Sequence, residues 1–140
     1  MLMLSAPQRD LIRDKGTKLG RMLIGLLFFA GGMSMLLMQG PAATAAYFAS
    51  LSIPLSGVIV WFVIALKIIA GLAIILGYRV GLAAAALIAF TAAATIAAHS
   101  DFSDPNQITA ALKNLAIIGG LLYLMAYGPG GSNTARLTAK

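Results

Sequence analysis

A chain of 140 residues in which 60% are hydrophobic and only 10% charged, with a mean hydropathy of +0.92, is not the composition of a water-soluble domain. The net charge of +6 does not indicate a nucleic-acid binder, because the basic residues sit at the ends of apolar runs instead of on a polar face with stacking aromatics. With no cysteine, disulfides, thiol relays and cysteine-held iron–sulfur clusters are excluded, and any redox role borrows its electron carrier.

The chain opens on MLMLSAP, too short for a secretory h-region and followed by basic residues, so it does not have the form of a cleaved signal. Residues 1–18 are expected to be a cytoplasmic tail, with a short amphipathic surface helix over Gln8 to Lys18. Four runs then meet the requirement of about 20 apolar residues for crossing a hydrocarbon core roughly 30 Å thick: Leu19–Met38, Ser56–Gly77, Gly81–Ala98 and Ile108–Tyr127. The expected fold is all-α, a four-helix transmembrane bundle over 19–127, with a cytoplasmic tail over 128–140.

Between the first two runs, PAATAAYFASLSIP (41–54) is too short to span, bracketed by prolines and apolar; it is expected to be an interfacial helix or re-entrant flap. Arg9, Arg13, Lys15, Lys18 and Arg21, then Arg79, then Arg136 and Lys140 fall on one side if both termini are cytoplasmic, whereas 39–55 is uncharged and 99–107 holds only Asp101 and Asp104. The alanine-rich third span and the fourth, with Gly119 and Gly120, offer backbones that pack closely, so they are expected to form the interior of the bundle. Tyr123 and Tyr127 suit an interfacial aromatic pair, and GPGG (128–131) ends the last helix.

The anomaly is Lys67, inside WFVIALKIIAGLAIILG. It lies ten residues from Gly57 and from Gly77, or about 15 Å from either end of its span, and a lysine facing lipid there costs at least about 2.5–3.5 kcal/mol. The chain has no glutamate, and its four aspartates (Asp10, Asp14, Asp101, Asp104) all lie outside the spans. The amine is therefore neutral, hydrated in a polar cavity, or met by a carboxylate from a ligand or another membrane subunit with an acidic residue near Lys67. Topology brings Ser34, the i, i+4 series Thr91, Thr95 and His99, and Lys113 with Asn114 to one half of the bundle, where they are expected to line an electropositive vestibule opening outward. Each also has a plainer role: threonines in such a helix bond to the carbonyl one turn earlier, His99 can be a solvated edge residue, and Lys113 can lift its ammonium to the surface.

Arg21 early in the first span, Gly31–Gly32 later in it, YFASLSIP in the first loop, a polar residue beside GLAIILG and KNLAIIGGLLYLMAYGPG occur in an order that resembles the DoxX family of small four-span bacterial membrane proteins, from about Leu19 to Gly130. The resemblance implies an inner-membrane protein, and for some members a subunit of oxidoreductase assemblies such as thiosulfate:quinone oxidoreductase. Family members commonly carry an acid where this chain has Lys67, a lysine where it has Met35, and an acid shortly after GPG where it has SNTA.

No catalytic or metal-ligating set is expected. One histidine and four surface aspartates supply neither a metal site nor a buried carboxylate pair, and no GxSxG, phosphate loop or dinucleotide fingerprint occurs. The sequence favours a ligand-holding or accessory subunit of a larger assembly, with Lys67, Lys113, Asn114, Thr91, Thr95 and His99 as binding residues, and the resemblance implies that this assembly is redox-related and quinone-linked. Quinone is the candidate cofactor and the lipid bilayer the first partner. The alternative is a small transporter or channel subunit working as an oligomer; proton-coupled carriers need an intramembrane acid, which this chain lacks.

Overall fold

The computed structural model describes residues 3–130 and is all-helical over them. Helix α1 (Ala6–Ser34) continues through one π-helical turn (Met35–Gln39). Helix α2 (Pro41–Ser50) follows, then α3 (Ser56–Leu76), α4 (Val80–Ala98) and α5 (Pro105–Tyr127). Four of these are long and apolar enough to cross a membrane: α1 with its π-turn, α3, α4 and α5. The basic residues Arg136 and Lys140 of the C-terminal tail lie outside the described residues.

The first helix departs from expectation. Residues 8–18 are helical, but as the direct extension of the first span and not as a separate surface helix. Nothing in RDKGTKLGR breaks the helix: Gly16 costs only about 1 kcal/mol against alanine, and Lys18 pairs with Asp14 one turn earlier at 3.4 Å. The 34 residues from Ala6 to Gln39 make a rod about 51 Å long at 1.5 Å per residue, so its basic end projects well beyond a roughly 30 Å hydrocarbon core.

Local chemistry sets the remaining ends. Gly40, at φ 82°, provides the positive-φ corner between the π-turn and α2, where Pro41 occupies the first helical turn. Thr44 returns its hydroxyl to the Gly40 carbonyl at 3.1 Å. Helix α3 closes on Gly77 in the left-handed region, with the Tyr78 N–H donating back to the Ala73 carbonyl at 2.9 Å, the glycine-dependent helix stop. Asp104 caps α5 by accepting from the Asn106 N–H at 2.9 Å, ahead of Pro105.

The interior is not where small-residue counting placed it. The tightest crossing joins α1 to α3: a methyl group on Gly25 would lie 2.8 Å from the Gly71 carbonyl oxygen, and one on Gly71 would lie 2.6 Å from the Phe29 nitrogen. Gly32 likewise lets α1 approach the backbone of Ile68. In α5, by contrast, Gly119 faces open space, and only 11% of its most apolar stretch is buried against 33% for α3. Helix α3 is thus the central element and α5 the peripheral one. Glycine permits close approach, but the partner decides whether it happens.

Two core clusters result. Phe28, Ala70, Ile74, Val80, Ala84, Leu87, Leu121 and Leu124 fill the half of the bundle near the α3–α4 turn. Met35, Val60, Val63 and Ile64 fill the half under α2, with Phe48 and Phe90 packed against them. Lys67 sits at the level where the two meet.

A lysine cavity and a second groove

Lys67 enters the bundle because Gly31 leaves room for it. A methyl group at Gly31 would stand 2.8 Å from Nζ, and one at Gly32 would touch the Lys67 Cβ at 3.0 Å. Its ammonium donates to the Met35 sulfur at 3.7 Å and lies 5.9 Å from the centre of the Phe90 ring. A thioether is a weak acceptor, and a cation over one phenyl ring gains about 0.5–2 kcal/mol, so neither neutralises the charge. Lys67 and Met35 are the two positions where the DoxX resemblance places an acid and a lysine; here they touch without a carboxylate. All four aspartates fall within the described residues, and the one ion pair among those residues is Lys18–Asp14.

Lys67 borders a cavity of about 230 Å³. Helix α1 contributes Leu27, Phe28 and Gly31, α4 contributes Phe90, Thr91 and Ala94, and α5 contributes Lys113, Asn114 and Ile117. Four of the residues singled out by sequence, Lys67, Thr91, Lys113 and Asn114, therefore share one space. Rim residues Leu27 and Lys113 are exposed, so the cavity opens sideways between α1 and α5, where the sequence suggested an outward vestibule. Elsewhere α5 meets α1 where Gly120 receives Ile24.

Thr95 acts behind the wall. Its hydroxyl donates to the Thr91 carbonyl at 2.7 Å, the plain i−4 bond, and accepts from the Asn114 side-chain nitrogen at 2.9 Å, fixing Asn114 at the cavity edge. Thr91 does not make the plain bond: its hydroxyl is buried, borders the cavity and has no partner among the described residues. Ser34 is half-buried and does not line this cavity.

His99 does not join this group. It borders a second, apolar groove of about 430 Å³ beneath α2, between α3 and α4; its ring nitrogen Nδ1 is buried and has no partner among the described residues. Asp101, its sequence neighbour, is held by Ser103 instead, through both the Ser103 N–H and hydroxyl, and these bonds keep its carboxyl below the usual range. Tyr123 and Tyr127 form an exposed stacked pair with ring centres 5.8 Å apart.

Sequence reasoning noted Gly31 and Met35 through the family resemblance without placing them beside Lys67, missed Phe90, which carries no polar signal, and underrated Arg21. Arg21 is buried, with Nε and Nη1 lacking hydrogen-bond partners among the described residues. It lies between Thr17, against which Gly130 packs, and Gly25 on the α3 crossing, one helical turn from each.

The DoxX family model matches residues 16–100. The inner membrane protein YqjF of Escherichia coli K12 is 32% identical over 129 residues, which cover 92% of this chain and 96% of that protein. No solved structure matches. The matched segment includes α1 from Gly16 onward, α3 and α4, and so takes in Gly31, Met35, Lys67, Phe90 and Thr91. With its four spanning helices, the chain is a multi-pass membrane protein of the DoxX family.

Proposed function

We propose that this protein is an accessory subunit of a larger, redox-related and quinone-linked assembly of the bacterial inner membrane, in which it holds a ligand or partner group at Lys67. The observation that carries this reading is the lysine cavity: two cationic side chains and an unpartnered buried hydroxyl border one space that, among the described residues, is lined by no carboxylate and has exposed residues at its rim. A cation at mid-span is costly, and the cost falls when an acceptor arrives from outside. Two acceptors fit the opening. A quinone carbonyl can accept from the Lys67 ammonium while the Asn114 amide, braced by Thr95, or the Thr91 hydroxyl meets other oxygens. Alternatively, an aspartate or glutamate on a neighbouring transmembrane helix can enter between α1 and α5 and pair with Lys67. The redox setting is taken from the family resemblance, and the inner membrane from the name of the Escherichia coli relative.

The test is purification in mild detergent from native membranes, read by mass spectrometry and an absorption spectrum, for wild type and Lys67→Met. Stoichiometric quinone that disappears in the variant supports the ligand form. Loss of a defined membrane subunit with quinone unchanged supports the pairing form. A variant that keeps every partner and pigment of the wild type refutes both.

A further inference from the structure

Charge and volume together define the group that fits the lysine cavity. Lys67 stands inside the bundle and Lys113 on the exposed rim, and both border the same space. Neither is ion-paired: Lys18–Asp14 is the one salt bridge among the described residues, and no carboxylate is among the residues that line the cavity. The Lys67 ammonium has the Met35 sulfur as its one hydrogen-bond acceptor among the described residues. Gly31 and Phe90 stand on either side of its Nζ, and both border the cavity. Two like charges around one apolar space repel each other, and a neutral acceptor such as a carbonyl leaves their sum unchanged. An anion lowers it, and the attraction is strongest where water is scarce.

The volume limits what carries that anion. The rest of the wall is apolar, with Leu27, Phe28, Phe90 and Ile117 among its residues. An apolar cavity of about 150 Å³ admits benzene. At about 230 Å³, the lysine cavity admits one aromatic ring together with a charged substituent of a few atoms. A carboxylate attached directly to the ring has that size, and a small amphiphile of this kind enters through the side opening between α1 and α5. An aspartate or glutamate of a neighbouring helix offers the same carboxylate without a ring to fill the apolar part.

We infer that the lysine cavity binds a free single-ring aromatic carboxylate, with the carboxylate paired to Lys67 in the field of Lys113 and the ring against Phe28, Phe90 and Ile117. This rests on the reading that Lys67 holds a group from outside the chain, and names the chemical class of that group.

The test uses the full chain in phosphatidylcholine nanodiscs, with 4-fluorobenzoate as the probe and fluorine NMR as the readout. Saturable binding, displaced by unlabelled benzoate and missing in empty nanodiscs, is expected. 4-Fluorobenzamide has the same shape without the charge and is expected to bind at least about tenfold more weakly. Lys67→Met is expected to weaken benzoate binding by at least about tenfold. Lys113→Met weakens it by a smaller factor, and Lys15→Met, at the far end of α1, leaves it unchanged. Equal binding of acid and amide, or acid binding that survives Lys67→Met, overturns the inference. If Lys67→Met does not fold, the acid–amide comparison on the wild type decides alone. The two readings fail separately. No benzoate binding, beside native preparations that lose quinone or a subunit in Lys67→Met, overturns this inference and leaves the proposed function standing. Saturable benzoate binding, beside native preparations that Lys67→Met leaves unchanged, supports this site and refutes the quinone-linked assembly.

Discussion

Replacing Gly71 with alanine tests whether α1 and α3 form the load of the bundle. The added methyl group would lie 2.6 Å from the Phe29 nitrogen and 2.9 Å from the Gly25 carbonyl oxygen, both backbone atoms that no rotamer change can move. Ordinary contact begins near 3.4 Å, so the helices must separate by about 0.8 Å along the crossing. Overpacking of this kind costs about 1–3 kcal/mol, from which a helix-propensity gain of about 0.5–1 kcal/mol is subtracted, leaving a net loss of up to about 2.5 kcal/mol and centred near 1 kcal/mol. Gly119→Ala is the internal control. It sits in the same kind of apolar helix with nothing within 4 Å of the new methyl group, and is expected to be neutral or to stabilise by up to about 1 kcal/mol. Reversible unfolding by steric trapping in mixed micelles measures both. Equal responses, or a destabilising Gly119→Ala beside a neutral Gly71→Ala, would refute the assignment of α1–α3 as the tight interface.

Three further outcomes follow from the site. Asn114→Leu removes the 2.9 Å bond to Thr95 that ties α5 to α4, and is expected to cost about 0.6–1.7 kcal/mol in the same unfolding assay, with Thr95→Val not additive to it. Met35→Glu places a carboxylate against the Lys67 ammonium, now 3.7 Å from the Met35 sulfur, and is expected to reduce retention of the quinone or partner subunit because the charge is met internally. The third concerns pH. Because the Ser103 bonds depress the Asp101 carboxyl, the order they give the α4–α5 loop is complete above the ordinary carboxylate range and is lost as pH falls through the lowered value. Hydrogen exchange at the Ser103 amide is expected to accelerate on acidification across that window in the wild type, and to be fast and pH-insensitive beyond the intrinsic rate in Asp101→Ala.

Hydropathy alone located the spans, since the need to bury twenty apolar residues overrides local detail, and Pro41 and Pro54 marked the short helix between the first two. Which helices lie inside was not legible. Gly119 and Gly71 look equivalent as letters, and only their partners' shapes separate them. The lysine cavity was half legible: a charge in an apolar run demands explanation wherever it points, but Gly31, Met35 and Phe90 are ordinary membrane residues until packing sets them around the ammonium. The separation of His99 from Thr91 has a geometric cause. Each i, i+4 step overshoots a full turn by about 40°, so two steps carry His99 roughly 80° around α4 toward the α2 groove.

The central claim is that the Lys67 ammonium is met by a group this chain does not supply. It is tested most directly by placing a photocrosslinking amino acid at Leu27, on the exposed rim of the cavity, in native membranes. The account predicts a discrete adduct, either with a quinone or with a transmembrane peptide containing an aspartate or glutamate, that falls at least about tenfold in Lys67→Met, the factor expected for losing roughly 1.4 kcal/mol of contact. Adducts with bulk lipid alone, identical in wild type and variant, would contradict it.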